Sequence, residues 1–371
     1  MKFSLNQQDL QKSLNYCQGV IEKRSTLPIL SNVLLDVGNG KLKITATDLD
    51  LIFIQQISNV EILEEGKTTT SSSIMYDIIR KFSSGSKINF SSSSENKLHL
   101  ESDKSIFNLN CINASEFPLM DENFNENEFS IKSKELLKLL NKCKFSISND
   151  ETRHYLNGIF IHTIEVNGKL YLTGVATDSH RLSSSSMLLE SGEKFKPFIL
   201  PKKTVFQLCN LLEEGSEKIS LFSSDTKIQF KIGNSKITSK IIDGKFPDYK
   251  KVVPKNNSKI LSVNVKDLIN SVERVITVSI DRKEGVKLTL EKDSIQLFVN
   301  SSSSGEGKET LKANYNSEQF TVSFNSRYLL DIASEIENEK IIIKLNDAVS
   351  PVLIQDNSDK YSYYVIMPMK I

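Results

Sequence analysis

The stretches "MKFSLNQQDLQKSLNYCQGV" (residues 1–20), "NEFSIKSKELLKLLNKCKFS" (127–146) and "LSVNVKDLINSVERVITVS" (261–279) open in the same way. Each starts as a short alternating strand and runs into a helix behind an acid–leucine pair: Asp9-Leu10, Glu135-Leu136 and Asp267-Leu268. The leucines stand 126 and 132 residues apart.

Later landmarks recur in the same order. A second helix is expected in "SSSIMYDIIRKFSSG" (71–85), "PKKTVFQLCNLLEEG" (201–215) and "NSRYLLDIASEIENEK" (325–340). A Lys-Ile strand start follows at Lys87-Ile88, Lys218-Ile219 and Lys340-Ile341, leading into hairpins such as "KISLFSSDTKIQFKI" (218–232). Each unit closes on an apolar residue plus proline: Phe117-Pro118, Phe246-Pro247 and Met367-Pro368. Four landmarks in one order, three times over, mark an internal repeat. The expected fold is α+β, three copies of one domain with two helices packed on antiparallel sheets, over 1–125, 126–254 and 255–371. Between the helices, "NGKLYLTGVATDSHRL" (167–182) carries an Asn-Gly hairpin signal.

Composition is that of a globular chain of 371 residues, with a formal net charge of +1. Near-neutrality argues against a uniformly basic nucleic-acid binder, but not against one that segregates its charges. Cys17, Cys111, Cys143 and Cys209 are far apart with no CxxC pair, so no metal site is expected and the reading is a reduced, cytoplasmic protein. No signal peptide is visible, and no apolar run approaches the roughly 20 residues that span a bilayer.

The first helices segregate charge. Leu136, Leu140 and Cys143 share one face, opposite Lys134, Lys138 and Lys142. Leu268, Val272 and Val275 oppose Lys266, Asn270 and Arg274, while Leu10, Leu14 and Cys17 oppose Gln8, Lys12 and Tyr16. For one helix such a row reads as a solvated face. Three acid-free rows at equivalent positions suit a surface that attracts a polyanion on one side. Arg80, Lys202 and Lys203 on the second helices add to it, as do the loop residues Arg24, Arg153, His154 and Tyr155.

Five stretches in order, "RSTLPILSNVLL" (24–35), "RHYLNGIF" (153–160), "ATDSHRL" (176–182), "DGKFPDYKKVVPK" (243–255) and "YYVIMPMKI" (363–371), resemble the bacterial DNA sliding clamps, the beta subunits of the replicative DNA polymerase III holoenzyme. The resemblance runs from end to end. It implies a head-to-tail homodimeric ring with helices lining the hole, which encircles double-stranded DNA without sequence specificity. It also implies a clamp loader as partner, and a peptide pocket for the replicative polymerase's catalytic subunit and for other polymerases and repair proteins carrying clamp-binding motifs. No cofactor and no catalysis are implied.

Matching positions give a pocket of Leu156, Thr177, Ser179, His180, Arg181, Leu182, Pro247, Lys251, Val252, Asn325, Tyr328, Val365, Ile366, Met367, Pro368 and Met369. The bland alternative is ordinary domain-junction core. Phe107, Leu109 and Val278 match the family's dimer seam, with Thr277 in place of a more apolar residue. Ser179 stands where many clamps have glycine, Lys251 and Lys370 where arginine is common, and His154 where tyrosine is frequent. The stretch "TSSSIMYD" (70–77) lacks basic residues found there in some clamps.

Two rival readings stand beside this one. Asp178, Ser179 and His180 carry the side chains of a hydrolytic triad. On a strand, however, consecutive residues point to alternate sides, which separates Ser179 from both neighbours, and no G-x-S-x-G elbow surrounds it. The second rival is a monomeric repeat protein that binds nucleic acid or peptides without encircling them.

Overall fold

A computed structural model of the chain describes residues 1–22, 26–93, 96–121, 124, 128–190, 194, 196–213, 218–279 and 285–370. Six α-helices lie among them: α1 (Gln7–Gln18), α2 (Ser72–Ile79), α3 (Ser133–Lys144), α4 (Lys202–Glu213), α5 (Val265–Val275) and α6 (Ser326–Ser334). Two fall in each third of the chain, and the described strands run between them in one repeated order: a strand, a helix, four strands (five in the first third), a second helix and a closing three-stranded meander. The protein is α+β, with three copies of one arrangement.

Local sequence explains how strand becomes helix without a loop. Lys2–Asn6 ends on Asn6, whose side chain accepts from Gln8 N and caps α1. Lys259–Asn264 ends on Asn264, which caps α5 through Asp267 N. Asn is a good cap because its short side chain reaches an orphan amide of the first turn. The apolar stripes are buried as expected: Leu10, Leu14 and Cys17 on α1, Leu136, Leu140 and Cys143 on α3, and Leu268, Val272 and Val275 on α5. Each buried Leu or Val contributes roughly 2 kcal/mol relative to exposure. At the Asn-Gly signal, Asn167 and Gly168 have φ of 51° and 73° and join Gly158–Val166 to Lys169–Thr177. Both values favour Asn and Gly, and the twist suits a hairpin.

Compactness divides the chain in two rather than three. The first unit joins Met1–Leu137 to Lys203–Ile241, the second Lys138–Lys202 to Ile242–Ile371. A 13-stranded sheet belongs to the first and a 12-stranded sheet to the second. The cause is backbone pairing across the repeats. In the first unit Ser235–Lys240 pairs antiparallel with Leu51–Ile57, from Ser235↔Gln55 to Ser239↔Leu51. In the second, Asp359–Ile366 pairs with Arg181–Leu188, from Ser185↔Ser362 to Arg181↔Ile366.

Two residues of the expected polar rows, Tyr16 and Lys142, are not polar surface at all. Tyr16 is only 8% exposed, its ring packed 5.8 Å from that of Phe53 and its carbonyl accepting from Gln207 Nε2 at 2.7 Å. The phenol is long enough to turn from the edge of the apolar stripe into the core.

Candidate functional site

In the second unit a cavity of about 260 Å³ opens between a turn, a strand end and two 3₁₀ segments. The turn joins Lys169–Thr177 to Arg181–Leu188. Thr177 Oγ1 donates to Arg181 O at 2.7 Å and accepts from Ser179 N at 3.1 Å. Asp178 Oδ1 accepts from His180 N and Arg181 N, both at 3.0 Å. Residues 178–180 are therefore turn, not strand, which corrects the ground on which Ser179 was separated from its neighbours. The apparent triad fails for another reason: the Asp178 carboxylate is taken by amides and by Arg181, and Ser179 Oγ accepts from Arg153.

A twin of this turn stands in the first unit. Thr47 Oγ1 donates to Leu51 O and accepts from Leu49 N, and Asp48 Oδ1 accepts from Asp50 N and Leu51 N. There Leu49 and Asp50 occupy the places of Ser179 and His180, so the turn's construction does not depend on a serine or a histidine.

Ten of the expected pocket residues line the cavity: Leu156, Thr177, Ser179, His180, Arg181, Leu182, Pro247, Val252, Val365 and Met367. Asp248 and Tyr249 line it as well and were not expected. The signal for Tyr249 was its place three residues before Val252, which brings both to one side of the 3₁₀ turn Tyr249–Lys251. Ile366 is a correction. It is fully buried in the third repeat's core, because along Asp359–Ile366 successive side chains alternate and Val365 takes the cavity side. Asn325 is spent capping α6 through Tyr328 N. Tyr328 stands behind the wall, its ring 6.3 Å from that of His180 and 4.3 Å from the Arg181 guanidinium. Lys251 is exposed and pairs with Asp248 at 3.5 Å. Pro368 lies just beyond the cavity, while Met369 lines a separate hollow with Val349 and Lys370.

Arg181 fixes one wall. Its Nε donates to Asp178 at 3.0 Å, Nη1 to Asp331 at 2.6 Å and Nη2 to the Phe145 carbonyl, with only 9% of the side chain exposed. A planar fork can meet three acceptors at once, which an ammonium cannot do in the same geometry. Beneath the cavity, Tyr249 Oη lies 3.0 Å from His162 Nε2, and Phe160 stacks on Phe246 at 5.0 Å. Burial pushes His162 down to about 4, with Lys250 adding to the effect, so the ring is neutral near pH 7. Burial also pushes the Tyr249 phenol up. The floor is uncharged and stiff, and the walls are mainly aliphatic, a surface suited to apolar side chains of an extended peptide.

The cations expected to meet phosphate are mostly paired within the protein. Arg24 lies outside the described residues. Arg80 caps the end of α2 and pairs with Asp77 at 2.9 Å. Lys138 pairs with Glu337 at 2.7 Å. Lys203 pairs with Asp48 at 2.6 Å and Glu22 at 2.8 Å, and Lys202 bonds Asn149 Oδ1. Arg153 pairs with Asp150 at 2.8 Å, His154 Nε2 contacts Asp243 O at 3.1 Å, and Tyr155 packs against the core under the cavity. Lys142 is a correction: only 2% of its side chain is exposed, and its ammonium meets Asp359 at 2.6 Å and Glu337 at 3.4 Å. A buried, doubly paired lysine cannot reach a phosphate.

At the expected seam, Phe107 is half-buried with its ring 5.9 Å from that of Phe82, and Leu109 is half-buried on the same strand. Val278 packs partly against the third repeat's core.

Models of the N-terminal, central and C-terminal domains of the DNA polymerase III beta subunit match residues 1–121, 130–248 and 250–370. A beta sliding clamp of Caulobacter vibrioides (strain NA1000 / CB15N) is 36% identical over 373 residues, spanning 100% of both chains. That of Escherichia coli (strain K12) is 32% identical over 371 residues, again spanning 100% of both. The crystal structure of the C. crescentus beta sliding clamp matches with a TM-score of 0.95 and 36% identity, covering 100% of this chain and 99% of that one. A DnaN sliding clamp from Bartonella birtlesii, solved bound to griselimycin, matches at 0.94 with 38% identity and full coverage of both. The chain belongs to the DNA polymerase III beta subunit family, the beta sliding clamps.

Proposed function

We propose that this protein is the processivity factor of a replicative DNA polymerase: two copies close head to tail around duplex DNA and tether the polymerase through the cavity at Thr177–Leu182. Family membership supports the reading, and one observation about strand edges carries it. In each unit the last strand of one repeat pairs with the third strand after the first helix of the repeat before it: Ser235–Lys240 with Leu51–Ile57, and Asp359–Ile366 with Arg181–Leu188. Two strands of these kinds are left over. The first repeat's last strand, Ser105–Ile112, meets Gly66–Ser71 only at Cys111 and Ile112, so its far edge is otherwise open among the described residues. In the third repeat the equivalent strand, Gly305–Asn314, meets Lys259–Asn264 only at Ala313 and Asn314. One open edge of each kind per chain is the complement that a second copy, placed head to tail, satisfies. Open edges are otherwise liabilities. Phe107, Leu109 and Val278 are the apolar residues assigned to that seam.

The three copies take the boundaries 1–125, 126–254 and 255–371, in keeping with the three family matches. Retention on DNA is topological, so phosphate contacts can be weak and exchangeable. Arg80, Lys138, Arg153, His154, Tyr155, Lys202 and Lys203 are the candidates; the exposed ion pairs among them, Arg80–Asp77, Lys138–Glu337 and Arg153–Asp150, exchange readily because each is worth at most about 1 kcal/mol. Tethering raises the polymerase's effective concentration at the primer end, with no catalytic step in the ring itself. Other partners, among them a clamp loader, other polymerases and repair proteins, dock through the same cavity, and the protein works in the cytoplasm.

The test is retention on a nicked circle after loading by a clamp loader and ATP. Retention should vanish once the circle is linearised. Equal retention on both substrates overturns the ring.

A further inference from the structure

Ser179 has φ of +76°, a conformation that is strained for a residue with a Cβ and costs glycine little. The strain belongs to the turn, since Leu49 in the twin turn has φ of +80°. What differs is the side chain. Ser179 Oγ accepts a 2.6 Å hydrogen bond from Arg153 Nη1, while Arg153 Nε donates to Asp150 Oδ2 at 2.8 Å. Two donors of the guanidinium are thus directed, and Nη2 is left without a protein partner among the described residues. The arginine side chain remains 38% exposed. Ser179 lines the cavity, as does Leu156 three residues beyond Arg153, so the clasp adjoins the cavity's lining at Ser179.

We propose that Ser179 is a positioning residue: it holds Arg153 beside the cavity's lining so that Nη2 receives a carboxylate of the bound peptide. The inference rests on the peptide-binding reading of the cavity and adds a chemical demand to it. A partner places apolar side chains against the aliphatic walls and an acidic group, a side chain or the chain terminus, at the Ser179 end. A guanidinium with two donors already fixed loses little freedom on meeting a third acceptor, which favours this cation over Lys251, whose ammonium already faces Asp248.

Fluorescence anisotropy on the full-length protein tests this with short labelled peptides that share the same apolar side chains. One carries Asp, one has Asn in its place, and a third has an amidated C-terminus. The wild type should bind a carboxylate form about tenfold more tightly than its neutral counterpart, the size expected for one charge-assisted bond at an exposed site. Whether Asn or amidation removes the gain tells which carboxylate is read. Ser179→Gly and Ser179→Ala should both bring the ratio near one. Ser179→Asn, which tolerates positive φ and keeps an acceptor, should retain it. Ser179→Gly should melt at or above Ser179→Ala, separating lost positioning from lost stability. A ratio near one in the wild type, or one unchanged in Ser179→Gly, overturns the proposal while leaving the cavity a peptide site. Failure of every peptide to bind the wild type overturns the peptide-site reading itself. Altered DNA retention with an unaltered peptide ratio assigns the clasp to nucleic acid and overturns the proposal.

Discussion

Lys142 Nζ lies 2.6 Å from Asp359 Oδ2, joining α3 to the third repeat through an ion pair that is almost wholly withdrawn from water. Burial raises the Asp359 carboxyl, but the hydrogen bond and charge of Lys142, together with hydrogen bonds from Ser362 and the Tyr361 amide, outweigh it and the group titrates below the usual carboxylate range. Removing one partner strands the other. Asp359→Ala should therefore destabilise by about 3 kcal/mol, whereas the double variant with Lys142→Met should recover much of the loss. Urea unfolding of the three variants measures this. Lys142→Met should also leave the salt dependence of DNA binding unchanged.

His162 gives the cavity floor a pH dependence. Its folded pKa, about 4, lies below its ordinary value of 6.5, so the unfolded chain binds the extra proton first. Stability from the neutral ring is complete above pH 6.5 and is lost as pH falls towards 4. The loss over that window should amount to about 3 kcal/mol at most. In His162→Gln the acid slope of the melting temperature between pH 6.5 and 4 should flatten.

Gly158 starts the strand behind Leu156, and a Cβ there would fall on the Leu200 carbonyl oxygen, 2.9 Å from the carbonyl carbon. That backbone belongs to the paired strand Phe198–Pro201, which cannot yield without losing its ladder. Gly158→Ala should cost about 2–4 kcal/mol and weaken peptide binding together with it. Thermal melts and anisotropy on the same sample check both effects.

The open edge at Ser105–Ile112 makes Leu109 the sensitive residue of the seam. Leu109→Asp places a charge where two apolar side chains are expected to meet, and desolvating it disfavours the closed dimer. Sedimentation should give the mass of one chain, with far-UV circular dichroism unchanged. A dimer as tight as the wild type would remove this strand from the interface.

Much of the fold was legible because the signals are local and occur three times. The acid–leucine pairs after alternating strands, the stripes ending in Cys17 and Cys143, and the Asn167-Gly168 turn all lie within one or two elements of their consequence. The cavity was legible for a related reason: its walls come from three short stretches, around 153–160, 176–182 and 243–255, with the tail at Val365 and Met367. Pairing was not legible. Nothing near Lys142 shows that Glu337 and Asp359, about two hundred residues on, will claim it. The helix row gave the face correctly for Lys134 and Lys266, both exposed, and wrongly for Lys142. Tyr16 failed because a phenol reaches round the stripe. Ser179 and Arg153 lie 26 residues apart and were both singled out, but in separate roles, since only the folded turn brings the hydroxyl to the guanidinium.

The twin turns at 47–51 and 177–182 bear on how such a protein changes over time. Threonine and aspartate hold the corner in both through backbone amides, so the third and fourth positions owe the turn no side-chain contact, although the third bears its positive φ. In one copy they became Leu49 and Asp50, in the other Ser179 and His180. A lineage can therefore retune its partner code at these two positions by single substitutions while the corner that displays them is inherited intact.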